Sequence, residues 1–479
     1  MRFEVILKYV GMALILNALF MFLSFILALV YSETTAVNLL YSTVITFGLG
    51  ILPSIYIRKT NYLTIHEGVM IVVMGWLATC ITGTIPYVLW GGEFNFVNAL
   101  FESVSGYTTT GASILSNIEA LPKSILFWRS STHFIGGIGV ILFGLLILSD
   151  SGSRLTLFNA EVSQLAKTNF SSKAKETLKI LLYVYLGLNL LQIICLYFAG
   201  MSLFDSVNHA FATIATGGFS TKNTSIAYFD SVWIEVIIIF FMLLSGIHFG
   251  LIFNTFSRGK NNIFRSGTAK AFLIFIFTGV LLVAIKLYSS GTYDSFWVSL
   301  RHAAFQVVSL ASTTGFASTD SAIWPFFTQI ILIYFTIQCA MVGSTAGGLK
   351  FDRVWVMIKS IKKQIRLMQH PRAIINIKVD GKPLPEGLEQ HTMVFIAMYM
   401  IILLITTLTL TAMNVDTMTA FSGAVATLGN VGPGFNEVGS MANYGGLPEM
   451  GKVVLSANML LGRLEIFGIL SLFFYRSWK

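Results

Sequence analysis

The chain has 479 residues, of which 55% are hydrophobic and only 11% charged, with a formal net charge of +9 and a mean hydropathy of +0.76. A soluble domain carries about 25% charged residues, so a soluble globular protein is excluded and an integral membrane protein is indicated. Cys80, Cys195 and Cys339 fall in apolar runs without metal-ligand spacing and read as buried free thiols.

Two apolar helices come first, near 9–31 and 36–57, joined by a short polar turn and followed by Arg58 and Lys59. Arg2 and Lys8 precede the first run as in a signal peptide. The run is too long for one and no small-residue cleavage site follows, so a retained helix is expected. The chain then repeats. Thr-Thr-Thr-Gly-Ala-Ser at 108–113 returns as Ala-Thr-Gly-Gly-Phe-Ser at 215–220 and as Thr-Thr-Gly-Phe-Ala-Ser at 313–318. A worn copy, Asn-Val-Gly-Pro-Gly-Phe, occupies 430–435. Aligning the Thr-Gly steps puts Gly111, Gly217, Gly315 and Gly432 in register. Repeats of this kind set the architecture.

Each copy follows a short helical stretch of mixed polarity and lies between two long apolar runs. Repeat one predicts an outer helix near 65–90, a half-helix at 95–107, the loop, and an inner helix near 124–148. A connector with Arg154, Lys167, Lys173, Lys175 and Lys179 leads to repeat two, at 180–199, 203–214 and 232–256. Repeat three is read at 269–288, 293–310 and a long segment over 323–368; repeat four at 391–413, 417–428 and 447–475. The expectation is an all-α membrane protein of ten spanning helices. It divides into a two-helix extension (1–60) and four helix–loop–helix units (61–152, 153–258, 259–370 and 371–479) around a central pore. Most of the Lys and Arg then fall on one side, which the positive-inside rule makes cytoplasmic, with both termini. That basic surface orients the protein and meets anionic lipid; along 350–382 it also offers a dock for a soluble partner.

None of the four loops contains Asp or Glu. Hydroxyls and small residues suit a ring of backbone carbonyls that replaces the water of a dehydrated alkali cation, and glycine permits the conformations this demands. Two further features stand out. The segment 323–368 is too long for one crossing, and Gly343-Ser344-Thr345-Ala346-Gly347-Gly348 breaks it. Those glycines do not form a phosphate-binding loop, because Leu349, Lys350 and Phe351 follow them and no strand precedes. Arg463 lies inside the last apolar run, where a charge usually faces a cavity; Glu465, two residues on, is on the wrong helical face to pair with it. His133, His209, His248 and His302 lack ligand spacing and read as packed or hydrogen-bonded side chains. No nucleophile–base constellation stands out, so an enzyme is not expected.

With the repeated loops, Trp128-Arg129-Ser130 leading into Gly136-Gly137-Ile138-Gly139, the 343–348 motif and Gly462-Arg463-Leu464-Glu465, the chain resembles the Trk/Ktr/HKT superfamily of potassium uptake proteins. The two extra helices favour the bacterial TrkH branch. The resemblance implies that filter carbonyls come from Thr109, Thr110, Ala215, Thr216, Thr313, Thr314, Asn430 and Val431 with Gly111, Gly217, Gly315 and Gly432. It implies a gate at 343–348 and places Arg463 in the pore beneath the filter. It further implies potassium as the transported ion, no covalent cofactor and no nucleic-acid partner. The setting would be a homodimer in a bacterial inner membrane, gated by a TrkA-like, RCK-type nucleotide-binding tetramer. A proton- or sodium-coupled symporter and a non-conducting membrane scaffold are the alternatives.

Overall fold

The computed structural model describes residues 2–57, 63–150, 174–257, 259, 262–385 and 387–473, and helices dominate it. The first hairpin is α1 (Phe3–Val30) and α2 (Ala36–Tyr56). These helices cross at Gly11 and Gly50, where a Cβ on either would strike the other's carbonyl oxygen; such close backbone approach is how small residues hold membrane helices together. Arg2 ties α1 to Glu67, 2.8 Å away, on α3 (Ile65–Thr82). There follow α4 (Ile85–Trp90), α5 (Phe96–Tyr107), α6 (Lys123–Asp150), α7 (Ala174–Phe198), α8 (Leu203–Ile214), α9 (Val232–Gly246) and α10 (Phe249–Phe256). The rest comprises α11 (Gly267–Ser289), α12 (Phe296–Ala311), α13 (Phe326–Ile337), α14 (Phe351–Gln369), α15 (Leu388–Ala412), α16 (Thr417–Leu428), α17 (Glu449–Arg463) and α18 (Phe467–Phe473). Among the described residues, 6 helices are long and apolar enough to cross a membrane, or up to 7 if α9 and α10 form one bent span. Arg58, Lys59, Arg154, Lys167, Lys173 and the boundaries expected between 60 and 61 and between 152 and 153 lie outside the described residues.

Several expected spans are broken. The run over 232–256 is two helices bent by 104°, and 447–475 stops at Arg463 and restarts at Phe467 through left-handed Glu465 and Ile466. The outer run 65–90 holds as one candidate span, with only a turn at Gly83, which Tyr107 and Ser103 crowd too closely for a side chain. Hydropathy does not register such breaks because the apolar composition continues through them. What allows them is mutual satisfaction of backbone groups. Between α13 and α14 the chain leaves the helix, and β1 (Gln338–Cys339) pairs in parallel with β2 (Leu349–Lys350) at the neck of the excursion. Inside it, the Met341 N–H donates to Gly246 O at 3.0 Å and the Phe249 N–H donates to Gly343 O at 3.1 Å. Each break supplies the partners that the other lacks.

On the side carrying α14, a hairpin of β3 (Lys378–Val379) and β4 (Lys382–Pro383) turns at Asp380. Asp380 Oδ1 accepts from the Thr268 N–H at 2.9 Å and its Oδ2 from Ser266 Oγ at 2.8 Å, so the hairpin caps α11. Asp380→Ala should cost about 1 kcal/mol, the usual value of a helix cap. The expected readout is faster cleavage of 378–383 by a soluble protease, with Asp380→Asn close to the unsubstituted protein.

Candidate functional site

Four short helices, α5, α8, α12 and α16, begin and end alike. Each starts at a polar cap whose side chain accepts backbone N–H groups: Asn95, Ser202, Ser295 and Asp416. At exposed Asp416 the Thr419 N–H is the chief cause holding the carboxyl below the usual carboxylate range. Each ends in a left-handed residue: Thr109 (φ 54°), Thr216 (φ 58°), Thr313 (φ 62°) or Asn430 (φ 53°). The N–H of that residue bonds three carbonyls back, and the next N–H five back, as Thr110 to Ser105 O at 2.9 Å and Val431 to Ala426 O at 2.9 Å. This is the Schellman ending, normally built on glycine. A β-branched residue there is strained by about 1–3 kcal/mol, a cost that persists only where surrounding structure enforces it.

Two residues further on, Gly111 (φ 81°), Gly218 (φ 78°), Gly315 (φ 76°) and Gly432 (φ 97°) are left-handed again. The structural register therefore pairs Gly218, not Gly217, with the other three. Two consecutive glycines leave the Thr-Gly step ambiguous in the sequence, and only backbone handedness resolves it. Ala215 accordingly aligns with Thr108, Ser312 and Gly429 at the helix caps, while Thr216 and Gly217 align with Thr109 and Thr110. The same four glycines close a ring. A Cβ on Gly111 would overlap Gly217 O; on Gly218, Thr314 O; on Gly315, Val431 O; and on Gly432 it would crowd Thr110 O. Loop one abuts loop two, two abuts three, three abuts four, and four abuts one. All four glycines line one open cavity, which Arg129 and Lys222 also border.

Behind the ring, each helix braces its own loop. Glu102, His209 and Gln306 stand seven residues before Thr109, Thr216 and Thr313. Glu102 accepts from Ser113 Oγ at 3.0 Å and from the Ile114 N–H at 3.1 Å. It pairs with Arg129 at 2.7 Å, both side chains being buried. Arg129 also donates to Ser220 O of the next loop at 3.2 Å and covers the Phe219 ring. His209 meets Ser220 Oγ at 2.9 Å, and Gln306 donates to Thr319 O at 2.8 Å. In the fourth unit Ser422 serves instead, accepting from the Phe435 N–H at 2.8 Å. Sequence reading missed Glu102: the lone charge of its half-helix was the available signal, and its arginine lies 27 residues away. His133 is hydrogen-bonded as expected, to Gly106 O at 2.7 Å and to the Phe219 N–H at 3.1 Å.

Beneath the ring lies 343–348. Thr345 Oγ1 donates to Ile214 O at 2.8 Å, and the Gly347 N–H reaches Thr313 Oγ1 at 3.4 Å. Ser344 Oγ bonds back to Met341 O, and Ala346 O accepts from Lys350 Nζ. Gly348 (φ 63°) packs on Gly429. Arg463, 9% exposed, donates to Thr345 O at 2.6 Å and to Gly136 O at 2.8 Å. Glu465 pairs with Arg353 of α14 at 2.6 Å. Cys80 and Cys339 are buried free thiols and Cys195 is half-buried. Among the described residues no group of His, Cys, Asp and Glu could hold a metal ion.

The fold and this ring define a class: a multi-helix membrane protein assembled around four backbone loops in mutual contact. Residues 37–477 match the TrkH family, described as a cation transport protein. The chain is 35% identical to the Trk system potassium uptake protein TrkH of Salmonella typhimurium over 100% of both chains. It is 32% identical to TrkG of Escherichia coli over 98% of this chain and 97% of that one. It superposes on the crystal structure of the potassium transporter TrkH from Vibrio parahaemolyticus with a TM-score of 0.89, at 32% identity and 98% coverage of each. The chain belongs to the TrkH family of cation transport proteins.

Removing one partner of a buried ion pair strands the other, so Glu102→Ala should lower stability by about 3–5 kcal/mol. Glu102→Gln, which keeps an acceptor for Ser113, should lose less. Thermal unfolding of the detergent-solubilised protein checks both.

Proposed function

We propose that the chain takes up potassium across a bacterial inner membrane through a filter formed by the four loops, opened and closed from the cytoplasmic side. The observation that carries this reading is the closed ring, in which each left-handed glycine lies against a carbonyl of the next loop and no loop contains an acid. Fixed charge is absent from the ring, so ion binding falls to backbone and hydroxyl oxygens, the ligands that replace potassium's hydration shell. The filter residues are Thr109, Thr110 and Gly111; Thr216, Gly217 and Gly218, with Ala215 at their inner edge; Thr313, Thr314 and Gly315; and Asn430, Val431 and Gly432.

In this reading the chain crosses the bilayer ten times, with its N- and C-termini cytoplasmic and the units 61–152, 153–258, 259–370 and 371–479 surrounding the pore. Short helices re-enter from outside, and irregular backbone at membrane depth lines the conduction path. Residues 343–348 obstruct that path below the filter, and Arg463 fastens the obstruction through Thr345 O. The working unit is a homodimer with one pore per protomer. A cytoplasmic TrkA-like nucleotide-binding tetramer pulls on α14, whose Arg353 links it to Glu465 two residues beyond Arg463. Potassium is cargo, and nucleotide binds the partner. Coupled symport uses the same path; a unitary current above about 10⁶ ions per second, a ceiling taken from the fastest enzyme turnover, excludes it.

Gly218→Ser and Gly315→Ser should each lower the preference for potassium over sodium in a folded protein, read as a shift in reversal potential in mixed ions. Unchanged potentials in both variants would count against a carbonyl filter.

At about 8 Å and an effective dielectric near 20, the Arg463 charge opposes a cation by roughly 2 kcal/mol, about thirty-fold in local occupancy. Rubidium uptake per folded dimer should therefore rise in Arg463→Ala, rise further in Arg463→Glu and stay low in Arg463→Lys. Deletion of 343–348 should raise basal uptake as well. Equal uptake per folded dimer across the arginine series would refute the barrier.

A further inference from the structure

The sharpest departure from fourfold likeness is Asn430, standing where the other loops carry Thr109, Thr216 and Thr313. All four residues are fully buried and left-handed. Thr109 and Thr216 turn their hydroxyl protons back onto Thr108 O (2.7 Å) and Ala215 O (2.6 Å), which leaves oxygen lone pairs to spare. Thr313 Oγ1 accepts the Gly347 N–H at 3.4 Å. Asn430 Nδ2 donates to Thr110 Oγ1 at 3.0 Å and to Met459 O at 2.9 Å. Asn430 Oδ1, by contrast, is buried with no hydrogen-bond partner. A Cβ on Gly347 would lie 2.5 Å from that oxygen, and one on Gly462 2.8 Å from it. The oxygen therefore sits in the seam between 343–348 and α17, at the inner end of the ring.

A buried acceptor without a donor calls for a reason; other such atoms occur among the described residues, and this one is set apart by its place against Gly347 at the inner end of the ring. We infer that Asn430 Oδ1 and Thr313 Oγ1 are ligands of an alkali-cation site at the inner end of the ring, and that Gly347 masks this site, so that cation and segment compete for the same oxygens. The inference rests on the filter reading above and deepens it. Neutral amide and hydroxyl oxygens are the ligand type that alkali cations accept. Gly347 suits the mask because a side chain there would collide with Asn430, so only bare backbone fits against both oxygens. By linkage, a seated segment weakens the cation, and a bound cation weakens the segment by the same factor. The gate thereby responds to the ion it controls. The asymmetry has a use as well: the segment meets the second short helix at a backbone atom, Ile214 O, and it lies against the side chains of Thr313 and Asn430, while the hydroxyls of Thr109 and Thr216 turn back on the preceding carbonyls.

The test is the initial rate of rubidium uptake into proteoliposomes against rubidium concentration, using the full chain, normalised to folded protein. Asn430→Asp keeps the side-chain shape and adds negative charge, so it should lower KM about ten-fold and raise basal uptake. Asn430→Thr installs the side chain carried by the other three loops, a residue that this backbone turn already accepts. It replaces Oδ1 with a shorter hydroxyl, which at this register turns back onto the preceding carbonyl in Thr109 and Thr216, and should raise KM about ten-fold with Vmax little changed, the signature of lost binding. KM within about two-fold of the unsubstituted protein in both variants overturns the inference, and a fall in Vmax alone assigns Asn430 a structural role. If Gly218→Ser and Gly315→Ser also leave ion preference unchanged, the filter reading itself has failed and takes this inference with it. If they alter preference while the Asn430 variants leave KM unmoved, only the inference falls.

Discussion

Everything in this protein is arranged around four helix endings that glycine would adopt freely and that threonine or asparagine adopts here. A left-handed threonine is unfavourable in isolation, and it appears three times at one register, in Thr109, Thr216 and Thr313. Such a conformation is stable only when its surroundings leave no alternative. The surroundings here are the neighbouring loops. Each loop presses a carbonyl into the space that a side chain would need on the next loop's glycine, so no loop can relax without displacing its neighbour. The braces from Glu102, His209, Gln306 and Ser422 keep the four loops from spreading. Chemically these braces differ, a carboxylate, an imidazole, an amide and a hydroxyl, yet each bonds its own loop. The fourfold plan is therefore one of geometry, and residue identity is free to vary within it.

Much of this was legible in the sequence, for identifiable reasons. The half-helices at 203–214 and 417–428 coincide with α8 and α16, because a polar cap starts each and the Gly-containing loop ends it. Repetition of the loop motif located the four loops that the structure brings into mutual contact. What escaped was information held between distant segments. The Gly217-Gly218 ambiguity is invisible without backbone handedness. The break after Gly246 depends on Met341, 95 residues later, donating to the freed carbonyl, and no local pattern announces that. The Glu102–Arg129 pair was likewise hidden, since the two charges lie in separate helices and nothing local marks either as the other's partner. Arg463 stood out from composition alone, but its attachment to Thr345 O and Gly136 O required the fold.

The two broken helices that complete each other carry a further consequence. Gly246 O and the Phe249 N–H are satisfied by Met341 and Gly343, the backbone flanking and opening the segment beneath the ring. Any withdrawal of that segment leaves a carbonyl and an amide facing a space with no protein partner, a state that is costly in a dry cavity. Water is the available substitute, and bridging water is nearly as good a partner as the lost backbone. On the gate reading proposed above, movement of the segment is thus coupled to wetting, since water takes the place of the departing backbone partners. Osmolytes too large to enter would therefore oppose that movement from a distance, through the activity of water alone.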